Sequence, residues 1–186
     1  MDLYPLLIFL HVLGGVGLFI GLGIEVVAVR RLQRTVTADQ ARTWMGLLGE
    51  AVRIGPVSMV TILIAGVWMM AIRWGPEPWI LTALFGLIVM AILGAALTRR
   101  TMAGLGPSLA GGGDELPAKF RALVTCGSLP FSLWLRVAIA VGILGLMTVK
   151  PDALGSLAIM GAANVLGAGA AMRPGRRRAP ATAYGR

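Results

Sequence analysis

The stretch FLHVLGGVGLFIGLGIE, residues 9–25, decides the fold that we expect for this chain. Apart from His11 and Glu25, it contains only apolar side chains and glycine. It lies within an apolar run over residues 3–29, which is long enough to cross a bilayer because a spanning helix needs about 20 such residues. No Lys or Arg precedes the run, and it is longer than the apolar core of a secretory signal, so the sequence predicts a retained first transmembrane helix.

The rest of the chain has the same apolar character. Of its 186 residues 57% are hydrophobic and 13% are charged, and the mean hydropathy is +0.82, values typical of an integral membrane protein. Four further apolar runs cover residues 56–72, 79–97, 131–149 and 153–172. We therefore expect an all-α, polytopic transmembrane helix bundle with five spans and a single domain over residues 1–172. The basic, Pro- and Ala-rich residues 173–186 are expected to be a disordered cytoplasmic tail.

The positions of the basic residues predict the orientation of the bundle. Although the net charge is +9, the charges lie at the ends of the apolar runs, so we expect no nucleic-acid partner. Basic residues concentrate in residues 30–53, 99–121 and 173–186, whereas only Arg73 and Lys150 fall on the other side. By the positive-inside rule the N-terminus is outside and the C-terminus inside. The basic cytoplasmic segments, the tail included, either attract anionic lipids or serve only as topology anchors.

Aromatic residues agree with this topology, since Trp and Tyr favour the headgroup level. Tyr4, Trp74 and Trp79 fall at the expected outer edge, and Trp44 and Trp134 near the inner one.

The fifth run has the weakest apolar signal and contains Asn164 near its middle. It is either re-entrant or, as we favour, packed closely through small residues at four-residue spacing, such as Ala163 and Gly167.

The connections between spans carry signals of their own. Thr37 and Gln40 have the spacing of a capping box, which predicts a short cytoplasmic helix leading into the second span. Gly55 and Pro56 predict a bend or break where that helix enters the bilayer. Residues 99–130 form the longest predicted loop, expected to be mobile at its Gly-rich centre, and no P-loop pattern is present. Cys126, the only cysteine, is expected to be a buried small residue.

Polar residues inside the spans are the candidate functional residues. His11 and Glu25 are fourteen positions apart, which places them on one helix face but about 21 Å apart along the axis. Gly17 and Gly21 on the flank allow another helix to approach. Arg136 enters the fourth span at a depth similar to that of Glu25, and we expect these two residues to pair. The alternative is that both side chains snorkel to the cytoplasmic headgroups.

The single histidine has two readings. His11 is either a functional group, such as a proton relay or a haem or metal ligand, or a donor of one hydrogen bond across a helix contact. As the only histidine it cannot form a bis-histidine haem site, and it is the only candidate metal ligand, with the metal itself unknown. Lys150, before Pro151, is either a snorkelling anchor or a cationic group at the mouth of an outer pocket. No catalytic constellation is visible.

Four short motifs carry a resemblance. FLHVLGG, IAGVWMM, PWILTAL and GLMTVKP, spread over residues 3–172, resemble an uncharacterised family of predicted bacterial integral membrane proteins, a domain of unknown function. The resemblance implies a bacterial cytoplasmic membrane and carries over no active residues. More distantly, the helix with His11 resembles small copper-resistance or haem-linked membrane bundles, from which this chain differs in lacking a second histidine.

Three functions follow as hypotheses. The first is binding or transport of a small ligand, proton or ion through a polar stripe of His11, Glu25 and Arg136, with Asn164 and Lys150 as further candidates. The second is a structural or assembly subunit that binds a membrane protein partner or a second copy. The third is a redox protein with haem or copper as cofactor. An enzyme is the less favoured reading.

Overall fold

The computed structural model describes residues 2–109, 115–125 and 128–172. Helix is almost the only secondary structure of this part of the chain. The seven α-helices and two π-helical segments in it are α1 (Tyr4–Leu32), α2 (Ala38–Met69), a π-helix (Met70–Trp74), α3 (Pro78–Leu93), a π-helix (Gly94–Thr98), α4 (Arg99–Ser108), α5 (Ala118–Thr125), α6 (Ser128–Val149) and α7 (Ala153–Met172). The predictions for Cys126, for the centre of the Gly-rich loop and for the tail 173–186 concern residues outside the described part of the chain.

Five helical stretches in the described part are long and apolar enough to cross a membrane. Each covers one of the five predicted spans, apart from Leu3 just before the first helix, which confirms the helical transmembrane bundle. The fifth spanning helix, which is α7, is uninterrupted over 20 residues, the length of one crossing. The chain is therefore a multi-pass membrane protein.

The structure corrects part of the prediction for the connection before the second span. Thr37 caps α2, accepting a hydrogen bond from the Gln40 N–H at 3.4 Å, as predicted. The helix then continues through Pro56 to Met69, so of the bend or break predicted at Gly55 and Pro56 the break is wrong. A proline removes one backbone hydrogen bond, but within a bilayer the helix is what satisfies the remaining backbone groups.

Glycines bring the helices together. A Cβ at Gly14 of α1 would lie 3.1 Å from the Ser58 carbonyl oxygen of α2, and one at Gly21 would lie 3.6 Å from the Gly55 backbone nitrogen. The predicted Gly17 and Gly21 step thus does lie where another helix approaches. On the other side of the bundle, a Cβ at Gly167 of α7 would lie 2.6 Å from that of Ala138 of α6. Small residues therefore determine both contacts.

The structure also corrects the prediction of a long loop over residues 99–130, because this segment contains α4 and α5. Leu105 of α4 is fully buried, as are Phe120 and Val124 of α5 to within 1%. These side chains join Leu32 and Leu129 in one apolar cluster at the end of the bundle that also carries Arg30, Arg31, Arg99 and Arg100. We call this the basic end, and the opposite end, with Tyr4, Trp74, Trp79 and Lys150, the aromatic end.

Candidate functional site

A cavity of about 110 Å³ lies near the aromatic end, among α1, α2, the π-helix that follows it, α3 and α6. Its walls are mostly apolar, and His11 is the only ionisable side chain among them. Three methionines and two tryptophans also line it: Met69, Met70, Met147, Trp74 and Trp79. The cavity thus combines apolar walls with a polar group.

The close packing of α1 on α2 holds the ring of His11. Its Nδ1 lies 3.2 Å from the carbonyl oxygen of Ile62, and a Cβ at Gly66 would lie 3.1 Å from its Cε1. A carbonyl oxygen only accepts hydrogen bonds, so Nδ1 carries the proton and donates it. In the neutral ring Nε2 is then an acceptor. The hydrogen bond across a helix contact, one of the two predicted roles, is present, and the same ring lines the cavity.

Two tryptophans and a lysine lie together beside the cavity. The rings of Trp74 and Trp79 meet edge to face, with centroids 5.6 Å apart, and Trp74 Nε1 donates to the Tyr4 hydroxyl at 3.0 Å. Lys150 Nζ lies 4.2 Å from the Trp74 ring centroid and 5.8 Å from that of Trp79. Lys150 therefore packs on the two tryptophans that line the cavity but is not itself a lining residue. Its role as a snorkelling anchor or as a cationic group at the mouth of a pocket stays a prediction.

The backbone of Lys150 is unusual. Its φ is 52°, the one positive value at a non-glycine position in the described residues. Its N–H donates to the Leu146 carbonyl at 2.9 Å and so ends α6. A left-handed conformation is costly for a residue with a Cβ, and glycine usually occupies this position after a helix. The lysine at this position is therefore strained, and the contact of its ammonium with the two rings offsets part of that strain.

A second polar site lies toward the basic end. Arg136 of α6 forms a salt bridge with Glu25 of α1, and these residues are 8% and 3% exposed. The structure thus brings together the two side chains expected to pair, and places them among protein side chains rather than in the snorkelling arrangement. Arg136 Nη2 also donates to Thr98 Oγ1 at 3.1 Å. Within the described residues Arg136 Nε is a buried donor without a partner.

Two hydroxyl groups extend this ion pair, and sequence reasoning missed both. Thr98 Oγ1 lies 3.2 Å from Ser132 Oγ, which donates to the Leu93 carbonyl at 3.1 Å. Thr98 belongs to the π-helix that widens the end of the third span, and Ser132 lies one turn before Arg136 on α6. The signal was a hydroxyl residue inside an apolar run, which by itself is too common to select these two.

The polar residues predicted to form one stripe occupy separate places. Between His11 and Glu25 the same face of α1 carries Leu18 and Leu22, both 6% exposed in the apolar core. Asn164 joins neither site, because its amide donates to the carbonyl of Met160 on its own helix at 2.8 Å. The chain therefore has an aromatic-end cavity with His11 and a basic-end ion pair, divided by apolar side chains.

Comparison of the chain with known protein families, with curated proteins and with solved structures finds no match. The family resemblance drawn from the short motifs stays a prediction. No group of three or more His, Cys, Asp or Glu side chains in the described residues is arranged to hold a metal ion.

Proposed function

We propose that this protein binds a small ligand within the membrane, in the aromatic-end cavity. One observation carries the proposal: the only histidine of the chain lines a mostly apolar cavity and has one ring nitrogen already occupied by the Ile62 carbonyl. An apolar cavity with a single oriented polar group is the usual form of a small-molecule site. The cavity of about 110 Å³ is below the usual range of roughly 300–1,000 Å³ for drug-sized ligands, so the ligand is small.

Binding to this cavity is tested with fluorobenzene in lipid nanodiscs, followed by ¹⁹F NMR. Ala83 of α3 is buried and lines the cavity, so Ala83→Leu fills it. Ala91, on the exposed face of the same helix, provides the matched control, Ala91→Leu. We expect saturable binding in the wild type and in Ala91→Leu, and none in Ala83→Leu. Binding that is unchanged by Ala83→Leu contradicts the proposal.

Transport through the polar stripe is the part of the hypothesis with less support. A proton or ion that moved from His11 to Glu25 would have to pass the buried side chains of Leu18 and Leu22. We therefore propose binding at the His11 cavity, with transport requiring a rearrangement of α1 against its neighbours. The test is proton flux into proteoliposomes. Flux that is lost in both His11→Leu and Glu25→Gln would support transport through one continuous polar stripe.

A soft metal ion is the second candidate ligand, because Met69, Met70 and Met147 line the same cavity as His11. Thioether sulfur with imidazole nitrogen is a donor set that suits Cu(I). A haem would need a much larger space. The test is titration with Ag(I), a redox-inert substitute for Cu(I), on the wild type, on Met147→Leu and on the control Met90→Leu, whose side chain lies in the core outside the cavity. Loss of stoichiometric binding in Met147→Leu alone supports this function.

We further propose that the basic end faces the cytoplasm of a bacterial cell. The support is the charge distribution: Arg30, Arg31, Arg99 and Arg100 lie at one end of the bundle. In a Cys126→Ser background, Glu77→Cys should react with a membrane-impermeant maleimide in intact cells. Val36→Cys, which is 67% exposed at the other end, should react only after lysis. The reverse pattern contradicts the orientation.

The basic end also supports a proposed interaction with anionic lipids. Arg30 lies over the Trp134 ring at 5.1 Å and Arg31 over the Trp44 ring at 5.5 Å, which keeps both guanidinium groups beside side chains that favour the headgroup level. We expect greater thermal stability in phosphatidylglycerol than in phosphatidylcholine nanodiscs. This difference should be smaller in the double variant Arg30→Gln with Arg31→Gln.

Assembly with a membrane protein partner or a second copy is the alternative function. Its support is the exposed outer face of α7, where Leu154, Leu157, Val165 and Leu166 are more than 65% exposed. Lipid covers such a face equally well. The test is the mass measured by light scattering. A mass above that of one chain, unchanged in His11→Leu, favours this alternative.

A further inference from the structure

We infer that the ligand of the aromatic-end cavity is a single hydroxylated aromatic ring, a phenol or hydroquinone, whose hydroxyl donates a hydrogen bond to Nε2 of His11. The inference rests on the proposed function and names the class of ligand for the same site.

The size of the cavity selects a single ring. Its volume is about 110 Å³. An apolar cavity of roughly 150 Å³ in another protein stays dry and holds benzene. Met69, Met70 and Met147, which have flexible side chains, form part of the wall here, so small movements accommodate one ring. A fused-ring cofactor does not fit without a rearrangement of the helices.

The walls favour an aromatic ligand over an aliphatic one. Trp74 and Trp79 both line the cavity, and aromatic rings favour edge-to-face or offset contacts with one another. The three methionine thioethers make favourable contacts with aromatic rings. Besides His11, five of the fifteen lining residues thus carry an aromatic ring or a thioether, and aliphatic side chains make up most of the remaining wall.

The histidine selects a hydroxyl over a carbonyl. Because Nδ1–H donates its hydrogen bond to the Ile62 carbonyl, Nε2 of the neutral ring accepts a hydrogen bond and does not donate one. A quinone or ketone offers only acceptors and leaves Nε2 unpaired. A phenol or hydroquinone supplies the missing O–H donor. The site therefore distinguishes the reduced, hydroxylated ring from its oxidised form.

The test compares two probes of equal size, 4-fluorophenol and 4-fluorotoluene, by ¹⁹F NMR in nanodiscs, with dissociation constants expressed on the probe concentration in the bilayer. One hydrogen bond is worth about 0.5–1.5 kcal/mol, so we expect the phenol to bind up to about tenfold more tightly. In His11→Leu the ratio of the two dissociation constants should fall to about one.

A spectroscopic readout separates this role from a structural one. His11 is the only histidine in the sequence, so ¹⁵N-histidine labelling of protein purified without a histidine tag gives a single ring signal. The Nε2 shift should move on addition of 4-fluorophenol, while the protonated Nδ1 shift stays nearly constant, and 4-fluorotoluene should leave both in place.

The two levels of the proposal fail differently. Equal affinity for the two probes, or a preference for the phenol that survives in His11→Leu, overturns the hydroxylated-ring inference and leaves the cavity as a binding site. The absence of saturable binding of either probe, with no change in Ala83→Leu, overturns the proposed function itself.

Discussion

The strongest prediction concerns the buried ion pair, because removal of one partner leaves the charge of the other buried and unpaired. Glu25→Gln keeps the size of the side chain but leaves the Arg136 guanidinium buried at 8% exposure without its counter-ion. Breaking a buried pair in this way costs about 3–5 kcal/mol. Since Thr98 still accepts a hydrogen bond from Arg136, we expect the lower end of that range.

The double variant gives the sharper test. Removal of both charges, in Glu25→Leu with Arg136→Met, leaves no buried charge, and apolar replacement of a buried pair is often neutral or stabilising. The double variant should therefore be more stable than either single variant. Such a result requires strong coupling between the two positions, as expected for two residues in contact.

The chain contains its own control in the pair of Glu50 and Arg53. These side chains lie 2.9 Å apart but are 62% and 79% exposed, so solvent screens their attraction. Glu50→Gln should cost less than about 1 kcal/mol, and that small cost should disappear in high salt. The cost of Glu25→Gln should persist in high salt.

Unfolding by SDS in mixed micelles, followed by tryptophan fluorescence, measures all of these variants. The reasoning is refuted if Glu25→Gln costs no more than Glu50→Gln. It is equally refuted if the double variant is destabilised by the sum of the single effects, because the two charges would then act independently.

Three further predictions test local packing. Gly167→Ala should cost about 1–3 kcal/mol, since its Cβ would lie 2.6 Å from a neighbouring Cβ on α6, whereas Gly169→Ala, in open space, should be neutral or stabilising in the same unfolding assay. Lys150→Gly should be more stable than Lys150→Ala by about 1 kcal/mol, because glycine relieves the positive φ while both variants lose the tryptophan contact. Gly66→Ala should leave stability nearly unchanged but shift the ¹⁵N signal of His11, whose ring lies 3.1 Å from the added carbon.

The five spans were predictable because the bilayer imposes one simple requirement, a long apolar helix. The pairing of Glu25 with Arg136 was predictable for a similar reason, since two opposite charges at one depth have few other partners. The same physics explains why Pro56 misled the prediction. A proline breaks a helix in water, but in lipid the backbone groups around it have no alternative to the helix.

Other features depended on tertiary contacts that no local pattern reports. The helices α4 and α5 are only 10 and 8 residues long, too short to span a bilayer, yet Leu105 and Phe120 are buried because they cover the basic end of the bundle. Met69 and Met70 are neighbours near the end of the second span, whereas Met147 lies on α6 and joins them at His11 only through packing. Met is a common filler of apolar cores, so its positions in the sequence carry little information.

The two π-helical segments explain why the candidate sites had to be seen in the structure. Met70–Trp74 carries two cavity residues, Met70 and Trp74, and Gly94–Thr98 carries Thr98, which contacts Arg136. A π-turn contains more residues than an α-turn, so every side chain beyond it faces a different direction from that expected at 3.6 residues per turn. Each polar site thus lies beside a change in helical register. Such a change is stable only when packing supports it, so the two polar sites and the two irregular turns are best understood as parts of the same local arrangements.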